Sequence, residues 1–324
     1  METGFRHRAD GSAEVPALIS LRNTVAAWLQ LVRVPNLFTV PGDPIAGVLL
    51  AADPAMGSVA PSRIAAVAGA AVLLYAAGMA GNDIVDREEY RRSRPDRPLP
   101  SRRVSLRAAR VLVGFLAAAG VALAALAGLR SGIVALLLVG AIVLYNTGGK
   151  RFGLAGPLCM ALCRALSVLM GAALASEAIG TSRGLPVMAA AAVFVYIAVV
   201  TWVARQETNR EDPGAKRWMP ALLFAAGTIM LFALVRGWDQ RADVAMQAIG
   251  GVAAVSGLGV CLAGGFVARG GDVPQAVGIW VSGLLPMQAA WAAWSGAAEG
   301  VWIGLGLLLL WPVAMRLGRT FYAS

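Results

Sequence analysis

Charge, histidine and cysteine are scarce in this 324-residue chain. Charged residues make up 14% against 58% hydrophobic, which excludes a soluble domain with an ordinary polar surface. The sole histidine, His7, lies in a polar N-terminal stretch, so imidazole metal sites and histidine-based nucleophile triads are set aside. The three cysteines, Cys159, Cys163 and Cys261, fall in apolar segments where a thiol packs as a small apolar group. No disulfide or zinc framework is indicated.

Long apolar stretches are what the chain has instead. Its mean hydropathy is +0.68, and the stretches repeatedly reach the roughly 20 residues needed to cross a bilayer. Spans are expected near 24–52, 61–81, 106–128, 131–147, 155–177, 186–206, 218–235, 245–267, 274–295 and 300–316. The expected fold class is therefore all-α, a polytopic transmembrane bundle of nine or ten helices. Residues 1–22 read as a retained cytoplasmic polar tail, without a signal-peptide core, and 23–324 as a single transmembrane domain.

Lys and Arg are retained on the cytoplasmic side of membrane proteins. With ten spans, one face and both termini hold 22 of the 28 Lys and Arg residues; the opposite loops hold five, namely Arg63, Arg130, Arg183, Arg236 and Arg241. Arg164 falls within a span. Both termini are accordingly expected in the cytoplasm, in a bacterial plasma (inner) membrane. The formal net charge of +10 is a topology signal, and no nucleic-acid partner is needed to explain it. Oligomeric state is not legible, because lipid-facing and partner-facing apolar surfaces look alike.

The second span ends in Gly81-Asn82-Asp83-Ile84-Val85-Asp86-Arg87-Glu88-Glu89-Tyr90, and the loop beyond it contains Arg97-Pro98-Leu99-Pro100-Ser101. If the helix runs on through this motif, Asn82 and Asp86 share one face at i and i+4. Two such oxygen side chains suit a hard cation such as Mg²⁺, whose shell is completed by water and phosphate. The neighbouring arginines favour the same anion. A second cluster on the same side, Arg205-Gln206-Glu207-Thr208-Asn209-Arg210-Glu211-Asp212-Pro213-Gly214, again places Glu207 and Glu211 at i and i+4. Pro213-Gly214 is expected to end that helix. The first span carries Arg33, Asn36 and the break Pro41-Gly42-Asp43-Pro44, which requires protein or water partners for its backbone. Asp43 and Arg164 are costly in a membrane unless they face an interior, where the two can offset each other. The elaborated face predicts a central cavity opening to the cytoplasm.

Arg33-Val34-Pro35-Asn36, the Asn82-to-Arg87 run and the Arg97-to-Ser101 loop together resemble the UbiA superfamily of intramembrane prenyltransferases, over nearly all of the chain. The stretch Gly156-Pro157-Leu158-Cys159-Met160-Ala161-Leu162-Cys163-Arg164, with Leu169-Met170-Gly171, is similar to the EboC-type branch. The resemblance implies a bundle around a central cavity, with two acidic motifs binding Mg²⁺ and an isoprenyl diphosphate. Asn82 and Asp86 match the first two positions of the family's Asn-x-x-x-Asp-x-x-x-Asp pattern. The third position is Tyr90, with Glu89 adjacent, and the second motif is represented at best by Glu207 and Glu211, with Asp212 nearby. This departure puts metal affinity in doubt.

On that resemblance, Asn82, Asp86, Glu207 and Glu211 are metal ligands, while Asp86, Asp83 and Arg87 form the catalytic group. Arg33, Asn36, Asp43, Arg97, Lys150, Arg164 and Arg205 are substrate-binding candidates. The implied activity is Mg²⁺-dependent transfer of a prenyl group from an isoprenyl diphosphate to a small aromatic or lipid-like acceptor.

Plainer roles stay open beside these. Asn82 and Asp86 can simply cap a span, and Glu207 and Glu211 can be a solvated helix end. Arg91, Arg92, Arg94, Arg102, Arg103, Lys150 and Arg151 fit positive-inside placement or lipid headgroups. Arg164 and Asp43 can be purely structural, and Tyr90 an interfacial aromatic. The alternative functions are a degenerate UbiA-like transporter or binding protein for a lipid-like metabolite, and a transferase using a phosphorylated sugar with a polyprenyl phosphate.

Overall fold

A computed structural model describes residues 14–52, 57–149, 152–179, 184–205, 212–238 and 243–322, with side chains within 23–317. The architecture is helical throughout. Helix α1 (Glu14–Leu31) is followed by the single turn α2 (Val34–Leu37) and by α3 (Gly42–Ala51). Helices α4 (Pro61–Val85), α5 (Arg87–Ser93), α6 (Leu106–Ala127) and α7 (Leu129–Thr147) come next. The remainder is α8 (Ala155–Ile179), α9 (Leu185–Ala204), a 3₁₀ turn (Gly214–Trp218), α10 (Met219–Trp238), α11 (Val244–Arg269), α12 (Val273–Ser282), α13 (Leu284–Trp294) and α14 (Gly300–Tyr322).

Ten helical segments among the described residues are long and apolar enough to span a bilayer, which resolves nine against ten. The protein is an integral membrane protein. Its first crossing differs from the single stretch expected over 24–52. It is Val34–Ala51, formed by α2 and α3, and α1 precedes it as a separate helix beginning at Glu14, inside the segment expected as a tail. The division has a local cause. Arg33 adopts a left-handed backbone (φ 54) and Pro35 opens α2, where its missing N–H costs nothing. Pro41 then caps α3, and the Ile45 N–H bonds back to its carbonyl at 3.3 Å.

Close helix contacts rely on glycine, as expected where packing rather than the hydrophobic effect joins helices. A methyl group added at Gly47 of α3 would meet the Val168 carbonyl of α8, and one added at Gly171 would meet the Pro44 carbonyl. Helix α13 is buried along its whole length, its own Trp291 and Trp294 included, and Trp280 of the preceding α12 is fully buried as well. Helix α6, by contrast, presents Val111, Phe115 and Leu126 outward, the lipid side of the bundle.

Candidate active site

The acidic motif sits at the cytoplasm-facing end expected of α4. The helix does not run on through it: it ends at Val85, Asp86 caps it with φ −85 and ψ 5, and α5 starts at Arg87. The spacing nevertheless survives, because the Asp86 N–H bonds the Asn82 carbonyl at 2.9 Å and the Tyr90 N–H bonds the Asp86 carbonyl at 2.9 Å. Asn82, Asp83 and Asp86 are all buried.

Two guanidinium groups converge on Asp83. Arg97 Nη1 donates to both carboxylate oxygens at 2.9 and 3.0 Å, and Arg33 Nη2 donates to Oδ1 at 3.4 Å. Arg33 makes this contact from a left-handed backbone, uncommon for a non-glycine residue. Arg97 is placed by its loop. Leu99 and Val104 insert into an apolar cluster with Ala27, Leu31, Ala80 and Ala109, while Ser101 Oγ donates to the Arg97 carbonyl at 2.7 Å. The Arg97 guanidinium also lies 4.5 Å from the centre of the Tyr90 ring, a cation–π contact. Asn82 Nδ2 donates to the Tyr90 hydroxyl at 3.4 Å. Burial pushes the Tyr90 phenol above its ordinary value of 10.0, so it is neutral at physiological pH. At the position of the pattern's third carboxylate, this chain thus has an aromatic that organises the neighbouring amide and guanidinium.

Directly beneath lies a narrow cavity that begins at Gly78 and Met79, one turn before Asn82. Its wall is mostly apolar, with Tyr145 and Asn146 of α7 and Cys163, Arg164 and Ser167 of α8 as the polar members. Tyr145 stands within the electrostatic reach of Arg33, Tyr90 and Asp86, which links the cavity to the acidic turn. Deeper in, Arg164 Nε pairs with Asp43 Oδ2 at 2.8 Å, and its Nη2 donates to the Thr39 carbonyl at 2.8 Å. Gln288 Nε2 donates to Asp43 Oδ1 at 2.6 Å and to the same Thr39 carbonyl at 2.9 Å. Asp43 and Arg164 do offset each other, and Gln288 joins them into a clamp across α3, α8 and α13.

The remaining expected residues separate. Asn36 and Arg87 are half-buried near the motif, and the Asn36 carbonyl accepts from Thr39 Oγ1 at 2.9 Å. Arg205 is exposed at the end of α9. Lys150, Glu207 and Glu211 lie outside the described residues. Helix α9 stops at Ala204, and Gly214, at φ 63, opens the 3₁₀ turn; the segment 206–211 that Pro213-Gly214 was expected to terminate lies outside the described residues. Asp212 accepts from Arg217 Nη1 at 2.6 Å and from the Gly214 N–H at 2.8 Å, and the Arg217 hydrogen bond holds its carboxyl below the usual value.

No group of three or more His, Cys, Asp or Glu able to hold a metal occurs among the described residues. The buried Asn82 and Asp86 pair offers an amide and a carboxylate, a hard-oxygen donor set that fits Mg²⁺ only with water and phosphate completing its shell. Sequence reasoning passed over Gln288, Tyr145 and Asn146. A lone amide in the apolar run 284–294, and an amide at the end of the fourth expected span, were the available signals.

Known proteins align with this picture. The UbiA prenyltransferase family matches residues 44–269, more than half of the chain. A digeranylgeranylglyceryl phosphate synthase from Metallosphaera sedula is 36% identical over 144 residues, covering 44% of this chain and 50% of that protein. The chain thus spans about half the length of such curated relatives. A UbiA homologue from Aeropyrum pernix K1 superposes with a TM-score of 0.62 at 20% identity, covering 79% of this chain and 96% of that one. A UbiA homologue from Archaeoglobus fulgidus bound to GPP and Mg²⁺ gives a TM-score of 0.55 at 14% identity, covering 92% of this chain and all of that one. At such identities the solved structures establish a shared fold. With an acidic turn over a membrane cavity and a family match spanning most of α3 to α11, this chain belongs to the UbiA prenyltransferase family.

Proposed function

We propose that the protein transfers a prenyl group from an isoprenyl diphosphate to a small aromatic or lipid-like acceptor, with Mg²⁺ as its cofactor, at the cytoplasmic face of the membrane. The observation that carries this reading is the juxtaposition of buried Asn82 and Asp86 with the Arg33–Asp83–Arg97 cluster at the mouth of an apolar cavity. Relatives named as digeranylgeranylglyceryl phosphate synthases, and a homologue bound to GPP and Mg²⁺, support it.

Each group then has a physical task. Asn82 and Asp86 supply oxygen ligands, and Glu207 and Glu211 are proposed to complete the metal site from the second cluster. Mg²⁺ bound there would neutralise the diphosphate and stabilise the charge that develops as the allylic C–O bond breaks. Arg97 uses Nη1 on Asp83 and keeps N–H donors on Nε and Nη2 that suit phosphate oxygens. Arg33 and Arg87 stand beside the same anion, with Lys150 and Arg205 as outer cations. Asp83 holds the guanidiniums in place. The apolar cavity takes the chain and keeps water from the carbocation-like prenyl group.

A second reading, a carrier for a lipid-like or aromatic metabolite that keeps the fold without the transfer, draws on Tyr90 standing at the third carboxylate position. Turnover separates the two. Reconstituted protein should release diphosphate from geranyl, farnesyl or geranylgeranyl diphosphate in a Mg²⁺-dependent manner, and Asp86→Asn should lower kcat/KM by about a hundredfold, the scale of a lost electrostatic contact in a dry site. Metabolite binding with no diphosphate release, indifferent to Mg²⁺ and to Asp86→Asn, would support the carrier instead.

A further inference from the structure

Arg103 is exposed, yet its guanidinium is committed to the protein. Its Nη2 donates to the Asp96 carbonyl, and its Nε donates to Ser101 Oγ at 3.1 Å. Ser101 Oγ in turn donates to the Arg97 carbonyl at 2.7 Å, and the Ser101 N–H bonds the same carbonyl at 3.0 Å. One side chain therefore holds the backbone immediately before Arg97 and, through Ser101, the carbonyl of Arg97 itself.

The loop that carries these residues is tightly closed. The Arg102 N–H bonds the Leu99 carbonyl at 3.2 Å, and the Val104 N–H bonds the Pro98 carbonyl at 3.1 Å. Arg102 itself is left-handed at φ 60, a conformation that a non-glycine residue keeps where its surroundings over-determine it. Leu99 and Val104 anchor the loop by burial, and Arg103 closes it on the exposed side. Retention on the cytoplasmic side of a membrane needs only a positive charge, which lysine supplies equally. Binding two acceptors at once needs the planar fork of a guanidinium, which a compact ammonium does not reproduce.

We propose that Arg103 is a positioning residue for the diphosphate site: by tying Asp96 to Ser101 it fixes the backbone on both sides of Arg97. The Arg97 guanidinium then keeps its station against Asp83 and over the Tyr90 ring, with its remaining donors free for phosphate oxygens. The inference rests on the prenyl-transfer reading. Arg97 reaches Asp83 from a loop rather than from a helix, so its own backbone supplies little of the rigidity that a preorganised anion contact requires. The Arg103 bridge supplies it from outside the site, without touching the substrate.

The test is a double-mutant cycle on geranyl diphosphate binding in nanodiscs with Mg²⁺, using wild type, Arg103→Lys, Arg103→Gln, Arg97→Met and Arg97→Met with Arg103→Lys. Arg92→Lys, at an exposed position on α5, is the control. Arg103→Lys keeps the charge but loses the fork, and should weaken binding by about five- to tenfold, the scale of a lost hydrogen bond. Arg103→Gln should weaken it at least as much, the control should match wild type, and the unfolding temperature should stay the same in all three. In the Arg97→Met background, Arg103→Lys should change binding by less than about twofold, because the group it positions is gone. Wild-type affinity in Arg103→Lys, with or without a loss in Arg103→Gln, would overturn the inference alone and leave Arg103 as a plain cytoplasmic charge. Fully additive losses at Arg97 and Arg103 would also overturn it. Absence of binding to wild type would instead remove the prenyl-transfer reading and this inference with it.

Discussion

Tyr90 concentrates the departure of this chain from the family pattern in one side chain. Its ring carries the Arg97 guanidinium and its hydroxyl receives the Asn82 amide, so it orders two neighbours without supplying a negative charge. Burial raises its pKa, so the fold binds the phenolic proton more tightly than the unfolded chain does. Any stability this contributes is fully present below the ordinary value and is lost as pH rises through the folded value. GPP binding should therefore show no titration from Tyr90 between about pH 6 and 9. Tyr90→Phe should keep the shape of the wild-type pH profile while weakening binding by about two- to fivefold, the scale of one modest hydrogen bond. A new ionisation in that range in wild type, absent in Tyr90→Phe, would contradict this. Arg164 makes a different kind of claim, because it answers a buried carboxylate. Arg164→Met leaves Asp43 with Gln288 alone and should destabilise the fold by about 3–5 kcal/mol, with Asp43→Asn added to it restoring part of the loss. Thermal unfolding in detergent reads both, and a harmless single variant would show that the pair is not structural.

Helices differ in how much of their placement the sequence reveals. The spans from α6 onward followed from hydropathy, because long apolar runs have few alternatives in lipid. The first crossing was harder. An uninterrupted apolar count over 24–52 conceals the left-handed turn at Arg33, although Pro35 and the Pro41-Gly42 break were legible as disruptions. Asn82 and Asp86 were expected on one face only if the helix ran on, and they remain one turn apart because the Asp86 N–H still bonds the Asn82 carbonyl where α4 stops. Gln288 and Asn146 were not found, because their significance depends on which helices face them, and packing partners leave no periodic trace. The finer likeness to the EboC-type branch rests on the 156–171 stretch alone. Glycines at the α3–α8 seam illustrate the same point, being unremarkable in sequence and decisive in contact. Gly171→Val would drive its side chain into the Pro44 carbonyl and should lower the unfolding temperature and the yield of folded protein. Gly140→Val, at a glycine with open space beside it, should change neither. Equal tolerance at both positions would mean that α3 and α8 do not pack this closely.

For the whole molecule, the bundle can be understood as a means of keeping charge at one end of an apolar space. Carboxylates and guanidiniums gather where α4 meets α5, the cavity runs inward from them, and the Asp43–Arg164–Gln288 clamp closes the interior with its charges already matched. An isoprenyl diphosphate has the same division, an anionic head on a hydrocarbon tail. Equilibrium binding of radiolabelled geranyl diphosphate to protein in nanodiscs, with Mg²⁺ or with chelator, tests that correspondence most directly when wild type is set beside Asp86→Asn and Arg97→Met. The account predicts saturable binding that requires Mg²⁺ and falls by at least about tenfold in each variant, the scale of a lost charged contact. Binding of equal strength with chelator, and in both variants, would contradict it.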